Sequence, residues 1–115
     1  MSDFTPTSFI TLRPYTNPAT YTFTFTVCSS AGSNDGWLSY GDGLSTCTPK
    51  VYDADDDDVT SEVIADSSLA DNVVTIEFQY PSTSGDGVYV LRLQYETTLG
   101  DKDEAVFKRI QAVSD

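Results

Sequence analysis

The sequence predicts an all-β fold, a small antiparallel sandwich, on three observations. The stretch Thr20 to Val27 alternates polar and apolar residues over eight positions without a slip. Two later stretches repeat the pattern, with Val74, Ile76, Phe78 and Tyr80 in one, and Tyr89, Leu91, Leu93 and Tyr95 in the other. Turn signals separate the alternating runs, and no segment carries the three-to-four-residue spacing of a long helix. Successive side chains of a strand point to opposite faces, so each run buries one set and exposes the other.

The first strand is expected over Ser8 to Arg13, at a sheet edge, with Phe4 packing beside it. Pro14 to Ala19, holding Asn17-Pro18, is a turn. The second strand is Thr20 to Cys28, burying Tyr21, Phe23, Phe25 and Val27, which gives Cys28 the outward parity. Ser29 to Gly43 is a long connection for a compact domain, and such loops are usually functional or mobile. The third strand spans about Leu44 to Asp53. Its Pro49 is tolerated only at an edge or a bulge.

Asp53 to Asp58 is a loop tip. Val59 to Ala65 is read as a short strand and Asp66 to Asp71 as a further loop. Asn72 to Tyr80 is a strand, Pro81 to Asp86 a turn, and Gly87 to Thr97 the next strand. After Gly100-Asp101-Lys102, the segment Asp103 to Val113 pairs back as the last strand. Its alternation breaks around Phe107 to Ile110, where a bulge is expected. About seven strands at short intervals form the pattern of an immunoglobulin-like sandwich, in one domain covering residues 1–115. Tyr89, two residues before Leu91, occupies the position of a tyrosine corner, whose hydroxyl bonds back to the preceding turn.

Composition narrows the function classes. Eighteen acids against six bases give a net charge of −12. Such a surface repels phosphate backbones and anionic membranes, so neither nucleic acid nor membrane is an expected partner. There is no histidine, which removes every Ser-His or Cys-His arrangement. The beginning, Met1-Ser2-Asp3-Phe4, lacks the pattern of a signal peptide, and no apolar run approaches a membrane span. The product is therefore expected to be made and kept in a cytoplasm, unless released by lysis or carried on a particle. Cys28 and Cys47 are the two cysteines and are expected to be free thiols there, although strand ends brought within bonding distance would allow a bridge.

Two constellations could bind something. Trp37 and Tyr40 sit in the long loop among Gly36, Gly41 and Gly43. Such a pair can anchor a protein interface, stack on a sugar ring, or fold back onto the core. The run Asp53 to Asp58 has oxygen ligands at alternate positions, as a calcium loop does. However, Asp58 stands where the sharp-turn glycine belongs and Ile64 where the bidentate glutamate belongs, so a solvated tip is expected and no metal. No pair of acids is marked for catalysis, and no enzyme activity or cofactor is expected.

The chain order carries a resemblance. A Thr-rich aromatic strand, Thr20 to Val27, is followed by Val51-Tyr52-Asp53 and by Asp58-Val59-Thr60-Ser61-Glu62-Val63-Ile64. Then come Val73-Val74-Thr75-Ile76, Gly85-Asp86-Gly87-Val88-Tyr89-Val90-Leu91-Arg92-Leu93 and a closing hairpin with Arg109-Ile110. From Tyr21 to Val113 this resembles small immunoglobulin-like proteins encoded in tailed phages and prophages, among virion genes near the head-tail connection, some of them fiber adaptors. The resemblance implies a virion structural component, assembled in the host cytoplasm, whose partners are other virion proteins or further copies of itself. Its rivals are a small carbohydrate-binding module using Trp37 and Tyr40, and a calcium-stabilised adhesion domain using Asp53 to Asp58.

Overall fold

The computed structural model describes residues 10–14 and 19–114, with the side chains of 108 and 109 left aside. Phe4 and the Asn17-Pro18 turn lie outside the described residues. The strands are β1 (Ile10–Leu12), β2 (Ala19–Thr24), β3 (Leu44–Tyr52), β4 (Ile64–Ala70), β5 (Val73–Phe78), β6 (Gly87–Thr97) and β7 (Lys102–Ala112). One helical turn, α1 (Thr60–Val63), precedes β4. They form two sheets, a four-stranded one in the order β1-β7-β6-β3 and a three-stranded one in the order β2-β5-β4.

The alternating residues pack between the sheets. Phe23 of β2 meets Phe107 of β7 edge to face, centroids 5.8 Å apart. Phe25, just past β2, meets Tyr95 of β6 at 5.1 Å. Val74, Ile76 and Phe78 of β5 are buried, as are Tyr89, Leu91, Leu93 and Tyr95 of β6. Tyr21 and Tyr80 are half-buried rather than buried, and Tyr21 lies edge-on to Phe78.

Local sequence explains the exceptions to regular pairing. Pro49 lies in β3, the outer strand of its sheet, where a missing N–H is tolerated. Phe107 and Ile110 are both buried although three residues apart, which a regular strand forbids. The register resolves it: Leu91 pairs with Phe107 but Tyr89 pairs with Ile110, so β7 carries one extra residue there.

Four expectations are corrected. The sheets are not wholly antiparallel: β1 runs parallel to β7, Ile10 opposite Ile110. A parallel pair needs a long crossover connection, and here the rest of the domain is that connection. Of Val59 to Ala65 only Ile64 and Ala65 are strand, and of Asp66 to Asp71 only Asp71 is turn. Asp58 accepts from the N–H of Thr60 at 2.9 Å and from its hydroxyl at 2.6 Å, which supports the single turn of α1. The chain then pairs as β4 against β5 up to Ala70 opposite Val73, across a tight turn where Asp71 takes a positive φ of 55°. Finally, Cys28 faces in, not out. Past Thr24 the chain leaves β5: Leu38 N–H donates to Thr26 O and Cys28 N–H to Leu38 O, both at 2.8 Å. With a new pairing partner the parity changes, so Val27 is half-buried and Cys28 is buried.

Candidate functional site

The long loop is a set of pinned turns. Its middle runs beside residues 26–28, with Val27 bridged in parallel to Leu38. Gly36 permits this approach: a Cβ there would fall 2.4 Å from the backbone of Val27 and Cys28. Asp35 pins the entry of the loop by accepting from the Ser29 hydroxyl at 2.6 Å, the Ser29 N–H at 3.0 Å and the Ser33 hydroxyl at 2.8 Å. Those donations, the Ser29 hydroxyl first, draw its carboxyl down to about 2.

The structure separates the two aromatic residues of the loop. Trp37 is half-buried against the core, edge to face with Phe25 at 6.1 Å. Its indole N–H donates to the Tyr95 hydroxyl at 3.0 Å. Burial raises the Tyr95 phenol above its ordinary value even though this donation works against the shift. Tyr40 instead stands in solvent, 57 % exposed. A shallow depression of about 340 Å³ lies beside Trp37, lined by Ser39, Tyr95, Thr97 and Asp101 among others.

Asp42 closes the loop, a residue the sequence did not single out. It is nearly buried, and its Oδ1 accepts from Gly43 N–H at 2.8 Å, the Thr98 hydroxyl at 2.9 Å and Leu99 N–H at 3.2 Å. Burial alone would raise this carboxyl; the donors outweigh it and hold it below the ordinary value. Asn72 does the same from the β4–β5 turn, its Oδ1 accepting from Leu44 N–H at 2.9 Å. Three connections, 40–43, 71–72 and 98–101, are thereby tied together at one end of the domain. The sequence marks this end by Tyr40 within the glycine-rich loop and, unremarked above, by Leu99, an apolar residue among turn formers.

The acidic run is organised around Asp53. Its Oδ1 accepts the N–H groups of Asp55 and Asp57, both at 2.9 Å. Among the described residues no group of three or more acids or cysteines is placed to hold a metal ion. Both cysteines are free. Cys28 donates to Gly36 O at 3.6 Å, and burial pushes the Cys47 thiol up to about 11, which favours its neutral form. Among the described residues no helix is long and apolar enough to cross a membrane. No protein-family model, curated protein or solved structure matches the chain.

Proposed function

We propose that this chain is an immunoglobulin-like sandwich serving as a non-enzymatic structural component of a tailed-phage or prophage virion, of the head-tail or fiber-adaptor type. It acts by protein–protein recognition. The fold part is supported by strand order: β2-β5-β4 and β3-β6-β7 follow the B-E-D and C-F-G orders of immunoglobulin sheets. The bond from the Tyr89 hydroxyl to Gly85 O, 2.6 Å, has the form of a tyrosine corner.

One observation carries the role. The loop carboxylates of Asp35, Asp42, Asp53 and Asp58 each accept from backbone N–H groups of their own loops. These bonds hold the loops in defined shapes, which supports a recognition role. Rigid loops on a closed core suit recognition, because little order is lost when a partner docks. Stacking on sugars is less well served, since the Trp37 ring leans on Phe25 and its N–H is engaged.

The test is to purify virions from the strain that encodes the chain and quantify it in them by mass spectrometry. A fixed copy number per particle is expected. Absence from intact particles sinks the reading.

A further inference from the structure

We infer that the end of the domain formed by 40–43, 71–72 and 98–101 is a docking tip, and that its partner is a protein segment joining aliphatic or aromatic side chains to lysine or arginine. The inference rests on the recognition role proposed above and places it. Three large apolar or aromatic side chains stand in solvent among the described residues: Tyr40 at 57 %, Leu99 at 69 % and Val88 at 52 %. Tyr40 and Leu99 belong to the same tied end. Asp42, two residues after Tyr40, accepts from the N–H of Leu99 itself. Thr98 N–H adds a bond to Gly43 O at 2.9 Å. Covering an exposed leucine is favourable, and tyrosine is a favoured anchor at interfaces.

Charge selects the occupant. Asp71 in one adjoining turn and Asp101 at the base of the other are exposed and Asp103 follows, with Lys102 the one base among them. A second copy would bring the same acids and a net −12 against its own kind. Nucleic acid and anionic lipid are repelled for the same reason. A segment carrying both apolar and basic side chains complements the exposed Tyr40 and Leu99 and the acids around them.

The test pans a random peptide library against the immobilised full-length chain and measures recovered peptides on Tyr40→Ser/Leu99→Ser and on Val88→Ser. Val88 is the control, an exposed apolar side chain beside Asp53, Asp55 and Asp86 but outside the tip. Recovered peptides should combine aliphatic or aromatic residues with Lys or Arg and weaken in high salt. They should bind the double variant at least about tenfold more weakly while Val88→Ser binds normally. Both variants replace solvent-facing side chains, and unchanged melting temperatures confirm the fold. Equal binding to the double variant, recovered peptides without positive charge, or no recovered peptide overturns the tip. Virion incorporation is read separately, so a failed tip and a failed virion role give different results.

Discussion

The Tyr89 hydroxyl donates to the carbonyl oxygen of Gly85 across 2.6 Å, four residues back along the chain. Tyr89 is 2 % exposed, and burial raises its phenol above the ordinary value, so the group stays a neutral donor. The bond fixes the turn that feeds β6, the strand contributing most to the core. Tyr89→Phe should cost about 1 kcal/mol, rising toward about 3 if the carbonyl is left without a donor. Urea denaturation reads it, and an unchanged midpoint would show the bond contributes nothing.

Trp37 and Tyr40 should now behave differently. Truncating a buried tryptophan costs about 3–5 kcal/mol, and half-burial reduces this to roughly 2. Trp37→Ala should therefore lower the melting temperature, while Tyr40→Ala should leave it in place. A stable Trp37→Ala variant would contradict the packing on Phe25.

Acid should loosen the loop ends. Asp35 and Asp42 both have folded-state values below their unfolded ones. Their stabilisation is therefore fully present above about pH 4 and is lost as pH falls through the folded values, about 2 for Asp35. Asp42→Asn should be less stable than the parent at neutral pH, with the gap narrowing as pH falls below the ordinary carboxylate range. A gap independent of pH would mean that the charge of Asp42 is irrelevant.

Within the acidic run, position matters more than charge. Asp55→Asn/Asp57→Asn should leave stability unchanged or raise it, by relieving repulsion. Asp53→Ala should cost about 1 kcal/mol, because two N–H groups lose their acceptor. A melting temperature that responds to chelator would reverse this picture and reveal a metal.

Gly36→Ala forces a methyl group onto the backbone of Val27 and Cys28. The loss should be about 3 kcal/mol or more, with Trp37 fluorescence reporting the displaced loop. A tolerated alanine would show that the two segments are not in contact in solution.

What the sequence revealed follows from where each signal was stored. β6 and β5 were legible because a central strand alternates sharply, as Tyr89, Leu91, Leu93 and Tyr95 do. Even the bulge was legible, since Phe107 and Ile110 break parity. β4 was not. It lies at a sheet edge, Asp66, Ser67 and Ser68 face solvent, and its pairing is supplied by β5. Cys28 was misplaced because its neighbour is decided by a return of the chain ten residues later, at Leu38. In the candidate site, Trp37 and Tyr40 were visible as aromatics within a glycine-rich loop. The staples Asp42 and Asn72 were not, because an acid or amide in a turn looks the same whether it faces water or a distant N–H.

The parallel pairing of Ile10 with Ile110 has a consequence for synthesis. A ribosome delivers β1 first and β7 last, so the larger sheet cannot close until nearly the whole chain has emerged. Until then the edge of β6 that β7 will occupy has no partner, and the nascent chain carries that strand edge unpaired. A stop codon before β7 therefore removes two strands from the sheet, because β1 has no other strand neighbour among the described residues.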